Sequence, residues 1–177
     1  SLEFCNSAES AAEGADFIQE SAPENINIKK NLYRKIEPIM KNTAILSSST
    51  SGLLISDLQK ERILPHRFVL GHPFNPPHLI PLVEVIGGKN TDPKIIEQTL
   101  SFYNSIGKKA IKINKEFPGH IANRLQAALW REAIFLAIEG VASLEDIDAS
   151  ISYGPGIRWA VMGPHLTFHL AGGDGGM

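Results

Sequence analysis

Short apolar runs alternate with amphipathic helical stretches from Ala15 to Ile113, and after Phe117-Pro118-Gly119 the helical period continues alone. That change of period limits the fold more than any other feature of the chain. Strands alternating with helices predict a mainly parallel sheet covered on both faces. The strands are expected over 15–20, 43–46, 68–71, 82–86 and 110–113. A small helix rich in Ala and Glu precedes the first. Pro23-Glu24-Asn25 opens a helix over 26–40, with Ile28, Leu32, Ile36 and Ile39 at helical spacing. A short helix over 53–58 follows the run Ser47-Ser48-Ser49-Thr50-Ser51-Gly52. Asp92-Pro93 supplies an N-cap and first turn for a helix to about 106, and Gly107 stops it.

In the second part, Ile121, Leu125, Leu129, Ala133 and Leu136 keep one helical face until Gly140. Ser143-Leu144-Glu145-Asp146 resembles a capping box for a helix to about 152. Gly154-Pro155-Gly156 reads as a turn, and a last helix starts near Pro164. The expected organisation is therefore α/β over 1–116, then the start of an all-α domain over 117–177.

Charge and cysteine content exclude several function classes. Lys and Arg number 17 against 19 Asp and Glu, so no basic excess points to nucleic acid or an anionic membrane. One cysteine, Cys5, rules out an internal disulfide and a cysteine-built zinc site. The apolar runs are too short to span a bilayer. No signal peptide is visible, so a cytoplasmic setting is expected. The chain opens at Ser1 and closes on a glycine-rich stretch, so a fragment of a longer protein is expected.

The sharpest candidate for chemistry is Gly71-His72-Pro73-Phe74-Asn75-Pro76-Pro77, followed by Leu82-Val83-Glu84-Val85. Sites in open α/β sheets gather beyond the carboxyl ends of strands, and His72 is placed just past one. An unpartnered carboxylate in an apolar strand is costly, so Glu84 needs a partner. With His72 it would form a general acid/base pair, the carboxylate fixing the tautomer and stabilising the imidazolium. The competing reading is a His in a turn and a Glu on a polar strand face. The Ser47–Ser51 hydroxyls can bond ligand oxygens or cap the helix behind them. Asn123, beside Arg124 at a helix start, can bind a ligand oxygen or cap. His165 and His169 share a helix face, yet they lack the intervening carboxylate of a zincin; packing is favoured, and no metal is expected. Tyr153, Trp159 and Phe168 lie about Gly154-Pro155-Gly156, either as core or as a cage for a quaternary ammonium group.

Taken in order, five motifs resemble the 3-hydroxyacyl-CoA dehydrogenase family from about Asp16 to the end of the chain. They are Ser49-Thr50-Ser51, Gly71-His72-Pro73-Phe74-Asn75-Pro76, Leu82-Val83-Glu84-Val85-Ile86, Pro118-Gly119-His120-Ile121-Ala122-Asn123-Arg124 and Glu145-Asp146-Ile147-Asp148. The resemblance implies the C-terminal part of a Rossmann-type NAD-binding domain, followed by part of a helical domain that binds substrate and forms a homodimer. It implies a hydride transfer between NAD and a carbon bearing a 3-hydroxyl. By the same resemblance, His72 is the base and Glu84 its orienting carboxylate. Ser51 contacts substrate and nicotinamide, Asn123 holds the substrate oxygen, and Asn75, Glu24 and Lys29 touch the cofactor.

No G-x-G-x-x-G fingerprint occurs, although a Rossmann domain needs one at its first strand. The pyrophosphate then lacks a helix N-terminus to sit on, so these 177 residues alone are expected to bind NAD poorly. The stretch from Gln19 to Glu24 and the tail segments Ser152 to Pro164, with its Arg158-Trp159 pair, and Phe168 to Gly173 resemble the branch of the family that oxidises L-carnitine. Arg158 or Arg124 would hold the carboxylate of that small zwitterion, and Tyr153, Trp159 and Phe168 its trimethylammonium group. Two alternatives stand beside this one: a true 3-hydroxyacyl-CoA dehydrogenase acting on a thioester, and a non-catalytic, crystallin-like structural relative.

Overall fold

The alternation produces one five-stranded sheet in the order β1-β2-β3-β4-β5, formed by Phe17–Glu20, Ile45–Ser48, Phe68–Pro73, Leu82–Gly87 and Lys109–Ile113. The computed structural model describes residues 2–176. The chain divides into two compact units, one up to Ala122 and the other from Asn123.

β1, β2 and β3 run parallel, β4 pairs antiparallel with β3, and β5 returns parallel to β4. The sheet is thus mainly parallel, with its last two strands reversed. The reversal matters because it puts the amino end of β4 beside the carboxyl end of β3. In that register His72 lies directly opposite Glu84.

Alternate residues point to opposite faces of a strand, so each strand feeds two cores. Leu46, Phe68, Leu70 and Ile86 pack with Tyr33 and Ile36 of α2 (Ile26–Ile36) and Ile55 and Leu58 of α3 (Ile55–Leu58). Ala12 of the small helix α1 (Ala8–Ala12) joins this cluster. Ile45, Val69, Val83 and Val85 pack with Ile95 and Tyr103 of α4 (Pro93–Ser105). His72 and Glu84 share the parity of Leu70 and Ile86, so both face the α2–α3 side.

The apolar positions of α2 divide, with Ile36 buried and Leu32 partly buried against the core. Ile28 and Ile39 are exposed, whereas Lys29, Tyr33 and Ile36 are buried. Lys29 escapes an apolar pattern because an ion pair carries it inside. The helix also ends at Ile36 rather than Met40, since Pro38 has no N–H and disfavours helix in the residue before it. Asn25 caps the start, accepting from the N–H groups of Asn27 and Ile28. α4 begins as expected, with Asp92 accepting from Lys94 N–H, and Gly107 ends it at φ +82°.

The second unit contains α5, α6, α7 and α8, at Ala122–Ile138, Leu144–Ser152, Pro155–Trp159 and Pro164–Ala171. Ser143 caps α6 by accepting from Asp146 N–H. The stretch read as a turn at Gly154-Pro155-Gly156 is instead the start of α7, with Pro155 in the first helical turn where its missing N–H costs nothing. No residue of α5 is buried; Leu125, Trp130, Phe135 and Ile138 are all exposed. The apolar period of α5 is only partly covered, with Ala133 and Leu136 half-buried and Leu125 and Leu129 exposed. Among the described residues, no helix is long and apolar enough to cross a membrane.

Candidate active site

His72 belongs to β3 itself rather than to the residues beyond it, and its position opposite Glu84 follows from the antiparallel register. His72 Nδ1 lies 3.1 Å from Glu84 Oε2. Glu84 is fully buried, at 0% exposure, and His72 nearly so. The other carboxylate oxygen, Oε1, accepts from the N–H groups of Ile121 at 2.9 Å and Ala122 at 3.0 Å. Burial pushes the Glu84 carboxyl up, but the His72 bond and the two backbone donors outweigh it and hold the group below its ordinary value.

An ionised Glu84 makes His72 Nδ1 the donor, which leaves Nε2 with its lone pair. Nε2 makes no hydrogen bond among the described residues. An imidazole so held can take a proton from a hydroxyl, and the carboxylate behind it stabilises the resulting cation.

A depressed folded-state pKa ties stability to pH. The Glu84 contribution is fully present above the ordinary carboxylate range and is lost as pH falls through the lower folded-state value. Acid unfolding followed by circular dichroism is therefore expected to depend less on pH in Glu84→Gln than in the unaltered protein below about pH 4. Equal pH dependence in the two would show that Glu84 is not held in this way.

The serine-threonine run divides by position. Ser47 and Ser48 lie in β2, fully buried, and neither caps a helix. Ser47 pairs with the Tyr103 hydroxyl at 2.8 Å, and Ser48 donates to Glu20 Oε2 at 2.8 Å. Thr50 is buried and donates to Glu24. Ser51 is exposed, and its hydroxyl makes no hydrogen bond among the described residues.

Glu24 Oε1 also accepts from Gly52 N–H at 2.8 Å, Ser51 N–H at 3.2 Å and Leu53 N–H at 3.3 Å. Burial raises the Glu24 carboxyl, but the Thr50 hydroxyl, the Gly52 and Leu53 N–H groups and the Lys29 charge bring it below its ordinary value. Glu24 is thus the anchor of the Thr50–Leu53 turn.

Lys29 does not present its ammonium to a ligand. It is buried at 0% exposure and donates to Glu20 Oε1 at 2.8 Å and to the Ala22 carbonyl at 2.9 Å. It ties the Ala22 carbonyl to the Glu20 carboxylate. Asn75 is exposed in the loop after β3, its amide without a hydrogen bond among the described residues.

Asn123 is the second residue of α5 and opens the second unit. Tyr153, Arg158, Trp159 and Phe168 are exposed on that unit, and no ring contact joins the three aromatics among the described residues. His165 and His169 both lie on α8.

Sequence reasoning assigned His120 no role. It is buried, lies at φ +54°, and packs its ring 5.2 Å from that of His72. The available signal was Pro118-Gly119 before a helix, followed by a residue type that tolerates the left-handed region.

The α/β unit is a Rossmann-type NAD-binding fold, and the unit after it is the start of a helical C-terminal domain. A family model described as "3-hydroxyacyl-CoA dehydrogenase, NAD binding domain" matches residues 1–117, and one described as "3-hydroxyacyl-CoA dehydrogenase, C-terminal domain" matches residues 119–177. The chain belongs to the 3-hydroxyacyl-CoA dehydrogenase family.

It is 51% identical over 176 residues to the L-carnitine dehydrogenase of Streptomyces griseus, covering 99% of this chain and 52% of that protein. It is 53% identical over 167 residues to the L-carnitine dehydrogenase of Bacillus cereus, covering 94% and 51%. The chain thus spans about half the length of these curated relatives. Among solved structures, an NAD+-dependent 5-formyl-3-hydroxy-2-methylpyridine 4-carboxylic acid 5-dehydrogenase superposes with a TM-score of 0.93 at 39% identity, covering 98% of this chain and 56% of that one.

Proposed function

We propose that this chain is part of an NAD-dependent dehydrogenase that oxidises the 3-hydroxyl of L-carnitine to a ketone. The observation that carries the reading is the His72–Glu84 pair, 3.1 Å apart, with Nε2 uncommitted at the carboxyl end of β3. It occurs in a chain about half identical to proteins named L-carnitine dehydrogenase.

In the proposed reaction, His72 Nε2 takes the proton of the 3-hydroxyl as the alcohol loses its two electrons with the hydrogen on carbon. Glu84 stabilises the imidazolium and keeps Nε2 turned toward the substrate. NAD, when bound, supplies the hydride acceptor. The donor set at the carboxyl ends of β2 and β3 suits its nicotinamide half, because the Ser51 hydroxyl and the Asn75 amide are both uncommitted. In this reading Ser51 touches substrate and nicotinamide, and Asn75 the nicotinamide side. Glu24 and Lys29 act by holding the backbone around them. Asn123 steadies the oxygen that becomes the carbonyl.

The substrate's trimethylammonium group would be met by Trp159, Tyr153 and Phe168 through cation–π attraction, and its carboxylate by Arg158 or Arg124. The residues up to 116 are read as part of the NAD-binding domain, and those from 117 as part of the substrate and dimerisation domain. The exposed apolar face of α5 supports a homodimer through that second domain. The reading places the protein in the cytoplasm.

The test uses the full-length protein and follows NADH formation with L-carnitine and, separately, with 3-hydroxybutyryl-CoA. Turnover of L-carnitine without turnover of the thioester is expected. Turnover of the thioester alone would select the acyl-CoA reading and remove the aromatic cage. Turnover of neither would leave the crystallin-like reading.

A further inference from the structure

His120 is the buried imidazole for which the proposed chemistry has no use. It follows Gly119, and the two residues lie at φ +77° and +54°, both in the left-handed region. A non-glycine residue is uncommon there, and such backbone persists where its surroundings hold it in place.

Two consequences of this turn are visible. The next two N–H groups, those of Ile121 and Ala122, converge on Glu84 Oε1. The His120 ring reaches the other way, with Nε2 3.2 Å from the Thr50 carbonyl oxygen. A carbonyl only accepts, so the proton lies on Nε2. Nδ1 is buried without a hydrogen-bond partner among the described residues. Thr50 is held on its other side as well, since its hydroxyl donates to Glu24.

We propose that His120 is a positioning residue that latches the Thr50–Ser51 backbone to the turn that clamps Glu84. One turn then sets both halves of the site. Its backbone fixes the carboxylate behind His72, and its imidazole fixes the peptide unit that carries Ser51. The ring also packs 5.2 Å from that of His72 and limits the space in which that ring turns. Neither Glu24 nor Glu84 can do this alone, because each touches only one of the two segments. The proposal rests on the dehydrogenase reading for its effect on rate, but the latch itself does not depend on the substrate.

The test compares His120→Phe and His120→Gln in the full-length protein. Phenylalanine keeps a ring and loses the donor, whereas glutamine places an amide N–H near the position of Nε2. His120→Phe is expected to lower kcat about tenfold with KM for the substrate nearly unchanged, and His120→Gln to recover most of that loss. Equal kcat in His120→Phe and the unaltered protein would overturn the latch, as would equal losses in both variants.

A second readout needs no turnover. In protein labelled with 15N at histidine, solvent exchange of the His72 Nδ1 proton is expected to speed up about tenfold in His120→Phe and to stay slow in His120→Gln. Unchanged exchange in both variants would overturn the proposal. A protein inactive with L-carnitine and 3-hydroxybutyryl-CoA that still shows this exchange pattern would overturn only the dehydrogenase reading.

Discussion

His72→Ala in the full-length protein lowers kcat for L-carnitine oxidation by about 10²–10⁴-fold, the usual contribution of a positioned general base. The variant removes the side chain that meets Glu84 Oε2, and water replaces Nε2 poorly inside a site with so little exposure. KM for NAD is expected to change little, because His72 is not among the groups proposed to hold the cofactor. Thermal stability changes modestly too, since Glu84 keeps the Ile121 and Ala122 N–H donors. Steady-state kinetics beside a melting curve separates these outcomes. A kcat within a few-fold of the unaltered protein would remove His72 from the chemistry.

The largest effect on stability is expected at Lys29. Its ammonium is buried against Glu20, which also accepts from the Ser48 and Tyr33 hydroxyls and from Ala22 N–H. Burial and the neighbouring Glu20 charge push the Tyr33 hydroxyl far up, so it stays protonated and donates. Removing one member of such a pair leaves a buried charge without its partner. Lys29→Met is therefore expected to cost about 3–5 kcal/mol of folding stability, measured by urea unfolding. Adding Glu20→Gln should return part of that loss, because the stranded charge is gone. A loss below about 1 kcal/mol from Lys29→Met alone would show that the pair contributes no more than a surface salt bridge.

The parts of the fold that local chemistry determines were legible in the sequence. Asp92-Pro93 and Ser143 cap helices through side chains that sit next to the N–H groups they serve. The positions of the five strands along the chain were legible as short apolar runs, whereas their order in the sheet comes from the structure. The pairing of His72 with Glu84 was reachable because a carboxylate in an apolar strand demands a partner. Its geometry was not, because it depends on β4 running antiparallel to β3, a long-range fact with no local signature.

The same distinction separates the remaining residues. Lys29 and Tyr33 form the inner face of α2 through a polar network, whereas an apolar count selects Ile28 and Ile39. The five-residue run from Ser47 to Ser51 looks uniform in sequence, yet burial assigns Ser47 and Ser48 to the sheet, Thr50 to Glu24 and Ser51 to solvent. His120 becomes visible only through its backbone angle and the two N–H groups that its turn aims at Glu84. On α5 the helical period was legible, but the period alone does not say which of its residues are covered, and Leu125 and Leu129 stay exposed while Ala133 and Leu136 are half-buried.

The His72–Glu84 pair is proposed as the base for a 3-hydroxyl. A crystal structure of the full-length protein with NADH and L-carnitine tests it most directly. The 3-hydroxyl oxygen is expected about 2.6–3.2 Å from His72 Nε2, with the Nδ1–Glu84 bond intact. A 3-hydroxyl bound away from His72, with no water bridging the two, would contradict it.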